Sequence, residues 1–72
     1  MKLGKYRHYK GKEYEVLGVA THSETLEELV VYKALYLIES KGENSLWVRP
    51  KAMFEEDIEV DGIVRKRFEF ID

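Results

Sequence analysis

The chain must fold around one small core without covalent cross-links, because it has 72 residues and no cysteine. A domain of this length buries only about 60% of the surface that its unfolded form exposes, which leaves little room for a deep active site. The absence of cysteine excludes a disulfide framework and a cysteine-based zinc site, and it is consistent with a protein that resides in a reducing compartment. The sequence therefore predicts a single domain over residues 1–72 that resides in the cytoplasm.

The charge pattern argues against a general nucleic-acid binder. The net charge is -2 and the sequence pI is near 5.7, whereas phosphate affinity is built from clustered lysines and arginines. Two basic segments nevertheless stand out: residues 2–12, which lack any acid, and the trio Arg65, Lys66 and Arg67. They form a patch if they adjoin in space, and otherwise they are the solvated faces of edge strands. No apolar run has the length of a signal peptide or a membrane span, so no membrane association is expected.

Turn signals divide most of the chain into short strands. Alternation predicts strands over residues 5–9 and 12–21, joined by a tight turn at Lys10 and Gly11. Within the second strand the alternation changes phase at Gly18, which predicts a bulge or a sharp bend. Asp61 and Gly62 form the strongest hairpin signal of the chain. The strand that returns from it, residues 63–71, is expected to bury Phe68 and Phe70.

The third segment, residues 25–38, is ambiguous. Its apolar residues follow helical spacing, Thr25 and Glu28 could form a capping box, and Gly42 could end the helix. The same region is rich in β-branched and aromatic residues between positions 30 and 36, which favours a strand. On these residues alone both alternatives stay open.

A short strand follows around the single tryptophan. Alternation there predicts that Leu46 and Val48 face the core while Trp47 and Arg49 face outward. Pro50 ends the strand because it cannot donate to a ladder. Residues 51–54 then form one helical turn that directs Met53 and Phe54 toward the core.

Five separated motifs follow one another along the chain: Gly4-x-Tyr6-Arg7-His8-Tyr9-Lys10-Gly11, His22-Ser23-Glu24-Thr25, Val30-Val31-Tyr32-Lys33-x-Leu35-Tyr36, Leu46-Trp47-Val48-Arg49-Pro50 and Met53-Phe54. This series resembles the bacterial family called domain of unknown function 1653. The resemblance implies an all-β fold, a small SH3-like barrel of five to six strands with one short helical turn near Pro50 to Phe54, and thus a strand in the third segment. It implies no activity. The sequence departs from the family pattern in a longer loop over residues 37–44.

The leading functional hypothesis is a non-enzymatic binding module. A ring and a planar cation side by side, Trp47 and Arg49, would form a groove with Tyr36 and with His22 at its rim. The guanidinium could accept a peptide or a small anionic ligand. This hypothesis requires no cofactor, and the domain is expected to be a monomer.

Two alternatives come from other classes of protein. A nucleic-acid or nucleotide binder would use the basic N-terminal hairpin together with Arg65 to Arg67, and it would lose affinity steeply with salt. A small hydrolase would use His22 or His8 as a base, although no nucleophile motif accompanies either. Ser23 and Thr25 are more simply interpreted as caps of a turn that His22 anchors through the backbone. No histidine spacing typical of a metal site is present.

Overall fold

A computed structural model describes residues 1–37 and 42–72. Its elements are β1 (Gly4–His8), β2 (Glu13–Thr21), β3 (Glu28–Ala34), β4 (Leu46–Pro50), α1 (Lys51–Phe54), β5 (Asp57–Val60), β6 (Ile63–Lys66) and β7 (Phe68–Phe70). The all-β fold class is confirmed, and so is the helical turn after Pro50. No helix in these two ranges has the length and apolar character needed to cross a membrane. Half of the predicted long loop at 37–44, residues 38–41, lies outside the described residues.

The strands form an open sheet and a separate hairpin. Five strands pair antiparallel in the order β4-β3-β2-β1-β7, while β5 and β6 pair only with each other. Within residues 1–37 and 42–72, no strand pairing joins the edge strands β4 and β7, so the sheet does not close into a barrel. The structure thus does not confirm an SH3-like barrel, because the chain leaves the sheet after β4 and returns only at β7.

The returning strand is divided, which is why seven strands are found in the described chain and not five or six. At Arg67 the ladder changes partner: its N–H donates to the Glu56 carbonyl at 3.1 Å, and its carbonyl accepts the Tyr9 N–H at 2.9 Å. The residues before Arg67 pair with β5, and those after it pair with β1. Phe68 is buried as predicted, but Phe70 is 39% exposed because it ends the short edge strand.

Local turn chemistry agrees with the structure. Asp61 and Gly62 have positive φ angles of 52° and 78°, as a two-residue hairpin turn with two left-handed positions requires. The register of β2 against β3 shifts between Val16 and Gly18, which confirms the bulge. Leu17 is the extra residue of this bulge.

The third segment forms a strand over Glu28–Ala34, and the helical alternative is wrong. Val30, Tyr32 and Ala34 are buried and alternate with more exposed neighbours along β3. The strand lies between β2 and β4, so both of its edges are hydrogen-bonded. A central strand of this kind favours β-branched and aromatic residues. Their preference for a strand outweighs the helical spacing of the apolar residues in this segment.

The core is built mainly from aromatic rings on the inner face of the sheet. Phe54 from α1 stacks on Phe68 with ring centres 4.1 Å apart and planes at 6°. Phe54 contacts both Tyr6 and Tyr32, and Phe68 contacts Tyr32; most of these contacts are edge-on. The single turn of α1 therefore covers one part of the inner face. Met53, predicted to face the core, is 48% exposed, since one turn can direct only Phe54 inward.

Candidate functional site

The orientation of β4 is the reverse of the one predicted from alternation. Leu46 and Val48 are 66% and 60% exposed, while Trp47 is half-buried and packs against the core. The reason is the register with β3, in which Trp47 pairs with Tyr32. Directly paired residues of antiparallel strands share a face, and Tyr32 faces the core. Trp47 and Arg49 therefore lie on the inner face of the sheet.

Trp47 should consequently contribute to stability. We expect Trp47→Ala to lower the free energy of unfolding by about 2 kcal/mol, because a half-buried ring loses its contacts with the core. Leu46→Ala is the control on the same strand and should change stability by less than about 0.5 kcal/mol. Urea denaturation of both variants measures the difference. Equal midpoints for the two variants would contradict the orientation of β4.

Arg49 lies on the inner face of the sheet, beside Phe68. Its guanidinium carbon is 5.4 Å from the centre of the Phe68 ring, and the side chain is half-buried. None of the carboxylates in residues 1–37 and 42–72 forms a salt bridge with it. A guanidinium placed on a ring in this way keeps the N–H groups of its rim available for other partners.

His8 contacts the same ring. Its imidazole lies edge-on to Phe68 at 4.9 Å, because His8 and Phe68 are paired residues of β1 and β7. Its Nδ1 atom accepts the backbone N–H of Lys10 at 3.2 Å, so the neutral ring carries its proton on Nε2. The side chain therefore offers one N–H donor.

The electrostatics around His8 are cationic. Burial lowers the pKa of His8 from its usual value, and positive charges act in the same direction: Arg49, Arg67 and Lys10, in decreasing order of effect. Three cations thus converge on one imidazole and disfavour its protonated form. We call His8, Arg49 and Arg67 the cationic surface.

The hydrogen-bond donors of the Arg67 side chain are only partly paired. Its Nη2 atom donates to Glu56 Oε1 at 2.8 Å. Its Nε atom is buried and has no hydrogen-bond partner within the described part of the chain. Such an unpaired buried donor is uncommon in folded proteins and calls for an explanation.

Tyr36 adjoins this region through a second tyrosine. The hydroxyls of Tyr14 and Tyr36 are 2.6 Å apart, and Tyr14 contacts Phe68 edge-on at 5.7 Å. Burial and the hydrogen bond to Tyr36 raise the pKa of Tyr14. The Lys12 Nζ atom lies 4.9 Å from the centre of the Tyr36 ring, which adds a cation beside the tyrosine pair.

His22 does not join the other predicted site residues. It follows β2 at the end opposite to Tyr14, and eight residues of strand span roughly 25 Å. Its Nδ1 atom accepts the backbone N–H groups of Glu24 and Thr25 at 3.1 and 3.3 Å. Thr25 Oγ1 in turn accepts the Glu27 N–H at 3.2 Å. These bonds confirm Thr25 as a cap of the turn and His22 as its anchor, whereas no side-chain hydrogen bond of Ser23 is found among the described residues.

The two basic segments adjoin only in part. Arg67 lies against the β1–β2 turn, whereas Lys66 is paired with Asp57 at 3.1 Å on the separate hairpin. Arg7 is engaged by Glu13, also at 3.1 Å. No group of three or more histidine or acidic side chains suited to a metal ion occurs in the ranges that the structure covers.

Sequence reasoning missed the relation among His8, Arg67 and Arg49. It placed His8 with a hydrolase and Arg67 with nucleic-acid binding. The one available signal was the alternation that puts His8 on the face of Tyr6. The pairing of β1 with β7, which brings both residues to Arg49, joins parts of the chain about sixty residues apart.

These features define a small all-β domain whose open sheet presents cations beside aromatic rings. The chain belongs to the DUF1653 family, whose profile, described as a protein of unknown function, matches residues 4–70. It is similar to a crystal structure of a protein belonging to DUF1653 from Bordetella bronchiseptica, with 32% identity and a TM-score of 0.88 over 99% of this chain and 87% of that chain. A search among curated proteins finds no significant match. The resemblance carried by the five motifs is thus confirmed.

Proposed function

We propose that this protein is a non-enzymatic binding module that takes an anionic ligand at the cationic surface. The observation that carries the proposal is the position of Arg49. Its guanidinium is half-buried on the face of Phe68, and no carboxylate of residues 1–37 or 42–72 neutralises it. Partial burial strengthens the attraction for an anion, because water screens the charge less there.

The neighbours of Arg49 support the same ligand class. His8 offers an N–H donor, and the Arg67 guanidinium adds a positive charge beside it. A carboxylate or a phosphate presents several acceptor oxygens that could engage such donors together. It would also offset the repulsion among Arg49, Arg67 and Lys10, the three cations around His8.

An acidic side chain of a peptide is one source of such a group. Trp47 and Tyr14 are half-buried beside the core, so their rings could pack against the apolar part of a peptide. Inorganic phosphate is the simpler probe because it reports on the anion site alone.

Arg49→Gln should weaken phosphate binding about tenfold, because it removes the charge and the paired N–H donors while retaining an amide of similar reach. The measurement is a phosphate titration followed by backbone amide shifts, which should concentrate on β1, β4 and β7. Arg65→Gln is the matched control, since Arg65 is exposed on β6. Equal weakening in both variants, or shifts spread over all basic residues, would overturn the proposal.

The same titration has a second readout at His8. Its pKa in the free protein is expected below the usual value of about 6.5, and bound phosphate should raise it because an anion favours the charged imidazole. The ring proton resonances of His8 follow this change directly. A His8 pKa that does not respond to saturating phosphate would contradict binding at this surface.

A further inference from the structure

The strand β4 is an edge of the sheet, and its pairing with β3 fixes which backbone groups face the free side. The Ala34 N–H donates to the Ser45 carbonyl at 2.9 Å, and hydrogen-bonded pairs alternate with non-hydrogen-bonded pairs along an antiparallel ladder. Leu46 and Val48 are therefore at non-hydrogen-bonded positions against β3. Their N–H and C=O groups point to the free edge. Within the described part of the chain, neither a strand nor a turn hydrogen bond engages these groups.

The outer face of β4 is apolar and open. Leu46 is 66% exposed and Val48 is 60% exposed. Val48 is paired with Val31, and Pro50 with Leu29, so the aliphatic side chains continue onto β3. An unpaired edge with an apolar face is a site where a strand of another chain can add to the sheet.

Two features limit which strand can pair with β4. Pro50 occupies the next position that faces the free edge, and it ends the row of donors because it has no N–H. Arg49 lies on the inner face, where a second positive charge directly opposite would be unfavourable. The added strand must therefore be short, and it must present a neutral or acidic residue to Arg49.

A second copy of β4, running antiparallel to the first, meets both conditions. With Leu46 of one copy opposite Val48 of the other, the N–H and C=O groups of both residues find partners. The same register places Trp47 opposite Trp47 of the second copy, at a non-hydrogen-bonded pair. Side chains are closest at such pairs, and aromatic pairs across strands are favourable. Arg49 lies opposite Ser45, which is neutral.

The charges that flank β4 also complement one another. Glu43 precedes the strand and Lys51 follows it, so antiparallel pairing brings the acidic end of one copy to the basic end of the other. Lys51 contacts Glu55 of its own chain at 3.5 Å, but 31% of its side chain remains exposed. Parallel pairing would instead place like charges side by side at Glu43 and at Arg49. The charges thus favour the antiparallel arrangement.

We propose that this protein forms a weak homodimer in which two copies of β4 pair antiparallel and join the two sheets into one. A dimer departs from the monomer that the sequence predicts. Pairing through a five-residue strand spans about 17 Å, so the interface is smaller than that of a standard stable complex. We therefore expect a dissociation constant on the order of 100 µM. The dimer does not require an anion, because the pairing uses backbone groups and side chains of the outer face.

Sedimentation equilibrium between about 10 µM and about 1 mM measures the association. Val48→Lys should weaken it about tenfold or more, because the variant puts a charge into the apolar outer face of the joined sheets. Val64→Lys is the matched control, since Val64 is 66% exposed on the separate hairpin. Both side chains are exposed, so both variants should keep the fold, which amide spectra verify. A monomer throughout this range, or equal weakening by the two variants, would overturn the proposal.

Two spectroscopic measurements test the register. Exchange of the Leu46 and Val48 amide protons should slow as the wild-type concentration rises, because both become hydrogen-bonded in the dimer. In the Val48→Lys variant, the Leu46 amide should exchange at a constant rate. In a mixture of isotope-labelled and unlabelled protein, the Leu46 methyl groups should contact the Val48 methyl groups of the other copy. Exchange independent of concentration, or contacts confined to other residues, would contradict pairing through β4.

Discussion

Phe68→Ala is expected to lower the free energy of unfolding by about 3–5 kcal/mol. The ring is 5% exposed and stacks on Phe54 at 4.1 Å. It also supports Tyr14 and Tyr32 edge-on, so its removal leaves a cavity that several rings border. Small domains are stable by only about 5–15 kcal/mol in total, so this loss could unfold the protein.

Guanidinium denaturation measures the effect, with Phe70→Ala as a control two residues away on the same strand. Phe70 is 39% exposed, so its loss should cost much less. A midpoint for Phe68→Ala close to that of the wild type would show that the register of β7 is wrong. Phe68→Leu, which retains most of the volume, should recover part of the stability.

Gly4→Ala is expected to destabilise the fold by about 2–3 kcal/mol, mainly through backbone strain. Gly4 has a φ of +128°, which side chains rarely adopt, and an added Cβ would lie 2.6 Å from the backbone oxygen of Asp72. That backbone cannot move freely, because the Lys5 N–H donates to the Asp72 carbonyl at 2.9 Å. The substitution therefore strains β1 and also disturbs the contact of β1 with residue 72.

Gly18→Ala is the matched control for this prediction. No atom lies within 4 Å of a Cβ built at Gly18, so stability should change by less than about 0.5 kcal/mol. Thermal and urea unfolding of both variants provide the comparison. A Gly4→Ala protein as stable as the Gly18→Ala protein would contradict the close approach of the two backbones.

The elements that could be predicted from the sequence depend on local interactions. The turn at Asp61 and Gly62 needs two residues that tolerate positive φ, and Gly18 marks the bulge through a change of alternation. Pro50 ends β4 because it lacks an N–H. Each of these signals acts within a few residues, so no knowledge of distant strands is required.

The predictions that were wrong concern elements that depend on partners far away in the chain. Alternation shows that Trp47 and Leu46 face opposite sides, but only the pairing with Tyr32 decides which side is inner. The division of the last strand at Arg67 likewise results from its bonds to Glu56 and Tyr9. The closed barrel was expected from the family resemblance, and the described strand pairings do not show it.

The candidate site also depends partly on local sequence and partly on pairing between distant strands. The sequence alone indicated Arg49 as a cation next to an aromatic residue, and its peptide or small anionic ligand stays a prediction. The choice of Phe68 as its ring and of His8 and Arg67 as its neighbours comes from the pairing of β1 with β7. Tyr36 reaches this region only through Tyr14, and His22 is held at the far end of β2.

The amino-acid pattern thus suffices for the turns, the bulge and most of the strands, because hydrogen bonding, φ preference and alternation are properties of neighbouring residues; the third segment stayed open on its residues alone. The face that each strand buries, and the side chains that meet on it, are settled only in the folded sheet. Burial is a property of the whole core: Trp47 and Arg49 turn inward because β3 presents Val30 and Tyr32 to the same side. The convergence of positive charges around His8 is a consequence of that arrangement.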